Sequence, residues 1–160
     1  MSDETRFTLA EAHKEFAKRT NGRVWQLLDK ENRNQAENDE LLYAAFASCY
    51  HWYKIGTGVH RQRGEYLVAK VYMSLNNPEQ ALHHAQKCLA LTKQYQNEME
   101  DFDFAFAYEG AARVYAMNGK VEQAMKYHKM AREAGDQIED AEDKQIFDND
   151  LKGGNWFGLI

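Results

Sequence analysis

Residues 69–88 read AKVYMSLNNPEQALHHAQKC, and residues 112–131 read ARVYAMNGKVEQAMKYHKMA. At an offset of 43 positions, Val71, Tyr72, Glu79, Gln80 and Ala81 recur as Val114, Tyr115, Glu122, Gln123 and Ala124. Ala69, Tyr72, Asn76, Ala81, Ala85 and Cys88 are spaced 3, 4, 5, 4 and 3. Ala112, Tyr115, Gly119, Ala124, His128 and Ala131 repeat those intervals. Small residues at helical spacing on both sides of a turn let two helix backbones approach closely. The tyrosine fills the space between them, and Asn76 or Gly119 takes the turn. Self-similarity at a fixed period is the signature of a helical repeat.

This arrangement, small–x2–Tyr–x3–Asn/Gly–x4–Ala, resembles the tetratricopeptide repeat (TPR). The resemblance covers 62–95 and 105–138 well and 8–55 loosely. Glu65, Val68, Tyr108 and Ala111 stand where the family has an early Trp and Leu, and the period is 43 rather than 34. The chain is also similar to small stand-alone bacterial TPR-like proteins in Tyr50-His51-Trp52, Arg63-Gly64-Glu65, 81–85 and 101–109, a likeness that carries no activity with it. It implies an all-α fold: a right-handed, antiparallel helix-pair solenoid of about seven helices, three pairs plus a C-terminal cap.

The surrounding sequence fits that plan. Apolar residues recur at helical spacing along most of the chain. A divergent first pair spans 8–55. Its first helix has the seam Leu9, His13, Phe16, Thr20, Val24, Leu27 and a weak point at Asn21-Gly22. After a charged stretch from Glu31 to Asn38, the second helix has the seam Leu41, Ala45, Ser48, Trp52, Ile55. It also carries a second stripe, Tyr43, Ala47, Tyr50, which predicts burial on two sides. The second pair spans 59–96, divided at Asn77-Pro78, and the third 103–138, divided at Asn118-Gly119. Asp140 caps a short helix over 141–151. The tail, 152–160, holds Trp156, Phe157, Leu159 and Ile160 behind Gly153-Gly154, and we expect it to fold back over the open end. Exchange into a second subunit or insertion into a partner are the alternatives.

Composition bounds the function classes. The chain has 160 residues, a length suited to one domain. It is 44% hydrophobic with a single proline, which excludes an all-β fold rich in turns. Net charge is −5, distributed as +1 over 1–35, −2 over 36–56, +3 over 57–97 and −7 over 98–160. An acidic protein without clustered Lys and Arg is a poor nucleic-acid binder. Cys49 and Cys88 read as buried thiols of a reducing compartment. The first residues hold no apolar run, and no stretch approaches 18 apolar residues, so the expectation is a cytoplasmic protein with no signal peptide and no membrane span.

In TPR proteins the first helix of each pair lines a concave groove. On the third helix the equivalent face carries Arg63, Tyr66, Lys70 and Met73. On the fifth the 43-residue shift gives Phe106, Glu109, Arg113 and Ala116. Three cations among large side chains suit an extended peptide with an acidic residue or a C-terminal carboxylate. The competing reading is that these charges have partners within the chain, such as Glu65 or Glu109. The six histidines match no metal-ligand spacing, although His51, His84 and His128 fall on the second helix of successive pairs and could approach one another. Glu98, Glu100, Asp101 and Asp103 read as a solvated linker plus favourable charge at a helix N-terminus. Ser2, Ser48 and Ser74 have no base at readable spacing. The expectation is therefore a non-enzymatic protein-protein interaction module without cofactor or metal. A small-ligand protein or enzyme with an aromatic, His-lined pocket is one alternative, and a structural homodimer another.

Overall fold

Helices form and stop where the sequence supplies caps. The computed structural model describes residues 4–160, and the expectations that rest on Met1, Ser2 and Asp3 lie outside the described residues. Over the described residues the chain makes seven α-helices and one short 3₁₀ turn, with no strand. They are α1 (Leu9–Leu28), α2 (Gln35–Ile55), α3 (Gly58–Ser74), α4 (Pro78–Gln94), α5 (Asp101–Met117), α6 (Val121–Asp136) and α7 (Ala141–Lys152). Helix α1 runs unbroken through Gly22. Helix α2 starts within the charged stretch because Asn34 and Glu37 close a capping box. The Asn34 side chain accepts the Glu37 N–H at 2.8 Å, and Glu37 accepts the Asn34 N–H at 2.9 Å. Helix α4 ends at Gln94, and residues 96–98 tighten into the 3₁₀ turn.

Consecutive helices pack as α1–α2, α3–α4 and α5–α6 pairs. Helix α2 leans on α3, α4 on α5, and α3 on α5, while α7 lies against α5 and α6. The two repeated pairs share one turn geometry. Asn76 and Gly119 both take positive φ, 55° and 70°. The Asn77 N–H donates to the Tyr72 carbonyl at 2.9 Å, and the Lys120 N–H donates to the Tyr115 carbonyl at 2.9 Å. The matching small residues are buried in both pairs: Ala69 and Ala112, Ala81 and Ala124, Cys88 and Ala131.

The core is a series of small clusters rather than one centre. Val24, Leu27, Leu41, Ala45, Leu67, Val68 and Val71 join α1, α2 and α3. Ala69, Ala81, Ala85 and Val114 join α3, α4 and α5. Ala105, Ala131, Ile138 and Phe147 join α5, α6 and α7. Each cluster bridges neighbours only, as expected of stacked helix pairs. Among the described residues no helix is long and apolar enough to cross a membrane.

Two expectations of burial fail. The second stripe of α2 stays in solvent, with Tyr43 75% and Tyr50 55% exposed. The N-terminal half of the α1 seam is also open, with Leu9 77% and Phe16 53% exposed. No helix precedes α1 to cover either stripe among the described residues.

Candidate functional site

The odd-numbered helices share one face. Trp25 from α1, Gln62, Arg63 and Tyr66 from α3, Phe102 and Phe106 from α5, and Ile146 and Asp150 from α7 enclose a cleft of about 440 Å³. A second cleft of about 570 Å³ shares Trp25 and Asp150 with the first. Lys70, Met73, Glu109, Arg113 and residues 153–155 also line it. The two clefts adjoin at Trp25 and Asp150 and together form the channel face. Its floor is aromatic: Tyr66 and Phe106 meet edge to face at 6.1 Å, and Phe106 meets Phe147 at 5.1 Å.

The sequence-derived residues Arg63, Tyr66, Lys70, Met73, Phe106, Glu109 and Arg113 all line this channel. Their charges are arranged differently from a free cationic groove. Arg63 grips the Asp103 carboxylate with both arms, Nε to Oδ1 at 2.8 Å and Nη2 to Oδ2 at 2.9 Å. Asp103 is therefore no solvated linker residue: it is 4% exposed and also accepts the Glu100 N–H at 2.9 Å. Arg113 is buried and paired with Glu109 one turn earlier. Its other arms donate to the carbonyls of Asn155 at 3.0 Å, Asp150 at 2.6 Å and Gly153 at 2.9 Å. Its plane lies 4.0 Å from the Trp156 ring.

Lys70 is the groove cation without a carboxylate partner among the described residues. Its ammonium sits over the Trp25 ring at 5.6 Å and the Tyr66 ring at 5.7 Å. It donates to the Tyr66 hydroxyl at 3.5 Å, which in turn donates to Glu109 at 3.4 Å. Burial, and then the Glu109 carboxylate, hold the Tyr66 phenol well above its ordinary pKa, so it remains a neutral donor. Glu65, named as a candidate groove partner, instead faces α4, where it pairs with His84 at 2.6 Å and Lys87 at 3.2 Å.

The histidines disperse. His51 meets His13 across α1–α2, Nδ1 to Nδ1 at 2.8 Å. His84 pairs with Glu65, and His128 lies edge-on to Trp156 at 4.9 Å. The second helices of the pairs thus do not bring His51, His84 and His128 together. Neighbouring first helices capture each of the first two, and the tail takes the third. Ser48 and Ser74 donate to the backbone carbonyls of Ala17 and Val71. The tail folds back, but along the channel beside Arg113 rather than over the open end: Trp156 is buried, and its indole N–H donates to the Leu151 carbonyl at 3.1 Å. Ile160 remains 74% exposed.

Trp25, Phe102, Asp103, Ile146 and Asp150 were missed from the sequence. Trp25 was recoverable, because a large apolar residue off the α1 seam calls for a second buried face. Phe102 lies one turn before Phe106 on the groove side, and helical spacing alone would have found it. Ile146 and Asp150 reach the channel only through the packing of α7, which no local pattern gives.

No family model, no curated protein and no solved structure matches this chain.

Proposed function

We propose that the chain is a non-enzymatic, TPR-like binding module, a right-handed helix-pair solenoid whose concave face takes an extended segment of another protein. The carrying observation is the pair of adjoining clefts along α1, α3, α5 and α7, aromatic on their floor and holding one cation without a carboxylate partner among the described residues, Lys70. The shared turn geometry of the two 43-residue repeats supports the solenoid reading. A segment fits this face better than a compact ligand does, because the two clefts adjoin at Trp25 and Asp150.

The ligand chemistry follows from the side chains. An apolar or aromatic side chain of the partner enters between Trp25, Tyr66 and Phe106. An acidic residue or a C-terminal carboxylate reaches Lys70. Arg63 and Arg113 position the walls rather than the ligand, since their donors already serve Asp103 and Glu109.

The test is selection of a random peptide library against the folded protein, followed by affinity measurement on Lys70→Glu and Trp25→Ala variants. Peptides of one acidic, aromatic-bearing pattern are expected, with affinity reduced about tenfold or more in each variant, since a charge-assisted hydrogen bond is worth about 1.5–3 kcal/mol. No enriched pattern, or peptides that bind both variants as well as the wild type, would remove the groove reading.

A further inference from the structure

Two histidines outside the channel turn the same ring nitrogen toward each other. His13 sits in the second turn of α1 and His51 in the last turn but one of α2. Both are half-buried, and their Nδ1 atoms stand 2.8 Å apart. Neither ring has another hydrogen-bond partner among the described residues. The rings lie at 50° to each other, with Phe16 against His51 at 5.5 Å and Tyr50 edge-on to both. In a neutral pair one Nδ1 donates and the other accepts, so a single proton links the two helices at this point.

We propose that His13 and His51 form a two-nitrogen seat for a first-row divalent metal ion such as zinc, which clips the first half of α1 to α2. The spacing of the two nitrogens carries the proposal. Imidazole nitrogens bind zinc at about 2.0–2.1 Å, so two of them at tetragonal or tetrahedral angles stand roughly 2.9–3.4 Å apart. The pair has to open by only about half an ångström or less to admit the ion. Each ring stands inside a helix rather than on a loop, so its position is preset. When the ion enters, the shared Nδ1 proton moves through water to Nε2 of its own ring. Both Nδ1 lone pairs then face the ion, no net proton is released, and nothing is oxidised or reduced.

The donor set selects the class of ion. Imidazole suits zinc, nickel and copper, whereas magnesium and calcium take oxygen. No third His, Cys, Asp or Glu completes the set among the described residues. Cys49, two residues before His51, turns its sulfur towards Gly64 on α3 instead. The remaining positions therefore go to water, which makes the ion exchangeable, unlike one held in the closed set of a structural site. Its effect is local. Leu9 and Phe16 leave the first half of α1 short of apolar cover, and the ion anchors that half. Sequence spacing missed the pair because its members lie 38 residues apart on different helices. The seat is separate from the channel, so this proposal and the peptide-binding one stand or fall independently.

Calorimetric titration of zinc chloride into the metal-stripped full chain at about pH 7.5, where imidazole is neutral, tests it. One ion per chain is expected to bind with a Kd of about 100 µM or tighter. A tenfold excess of zinc over that Kd should raise the melting temperature by about 3–6 °C. His13→Gln and His51→Gln should each weaken binding at least tenfold and abolish the shift, while exposed His83→Gln leaves both unchanged. Independently of any variant, zinc should move the imidazole proton resonances of two of the six histidines. Magnesium chloride should do none of this. Zinc that binds only above about 1 mM, binds the His13 and His51 variants as well as the wild type, or is matched by magnesium overturns the proposal. Resonances that stay still, or that move for His83, His84 or His128 in place of this pair, overturn it as well.

Discussion

The Arg113 guanidinium compensates a Glu109 carboxylate that is 2% exposed, and it also ties three carbonyls of the chain end. Its removal leaves a buried charge alone, which costs more than one hydrogen bond. Arg113→Met should lower unfolding free energy by about 3–5 kcal/mol in urea titration. Adding Glu109→Leu should recover part of that loss, because both halves of the pair are then gone. A single-variant cost below about 1 kcal/mol would show that the pair is not desolvated. The same residue shows why the sequence misleads at this scale. Periodicity places Arg113 on the groove face and Glu109 one turn before it, but its three carbonyl acceptors sit 37 to 42 residues away in chain segments whose position no local spacing encodes. Cys88 was legible as a buried thiol, whereas Cys49, expected to be buried too, is only half-buried. Burial pushes both up to about 12. At pH 8 the native protein should therefore react with a thiol reagent far more slowly than the unfolded chain, whose thiols titrate near ~8.5. Fast modification of Cys88 in the folded state would contradict that burial.

At the scale of elements, the repeated turn is the most informative feature. Asn76 and Gly119 hold one left-handed conformation at equivalent positions, and these two residue types tolerate it best. Gly119→Asn should therefore change stability by only a few tenths of a kcal/mol, while Gly119→Val should cost about 1–2 kcal/mol. Thermal melts of the two variants separate the outcomes, and equal melting temperatures would mean that the turn is not held at positive φ. Gly135 makes a different demand. A methyl group there would overlap the buried Phe147 ring, so Gly135→Ala should loosen α7 from α6 at a cost of about 1–3 kcal/mol. Helix pairs and turns were legible because caps and small residues act locally. Where α2 begins was less so: a run of charges reads as linker until Asn34 and Glu37 are recognised as a capping pair. The two stripes on α1 and α2 show a further limit. Periodicity reports that a face has the spacing of a buried one, not that the chain itself covers it.

Over the whole molecule, the titrating groups that fold into unfavourable positions for their charged forms bracket a stability plateau. On the acid side stand His51, His60 and His128. Burial, reinforced by His13 for His51, by Arg63 for His60, and by Arg132 and Arg113 for His128, lowers all three below the ordinary ~6.5. His60 also needs a neutral ring nitrogen to accept the Thr57 N–H at 3.1 Å at the start of α3. The folded state then binds fewer protons than the unfolded one, so the stability that these groups contribute is complete above ~6.5 and falls as pH drops through their lowered values. Glu37 and Glu40 are also lowered, chiefly by hydrogen bonds from Lys30 and Arg23, which extends the loss below ~4.5. On the alkaline side the two raised thiols keep their contribution below ~8.5 and lose it as pH climbs towards 12. The melting temperature should accordingly be level from about pH 7 to 8.5, decline on both sides, and decline less steeply on the acid side in a His60→Asn variant, whose amide oxygen accepts a hydrogen bond without titrating. A melting temperature that holds level down to pH 5, or a His60→Asn profile that matches the wild type in slope, would mean that these histidines are as solvated in the fold as in the unfolded chain.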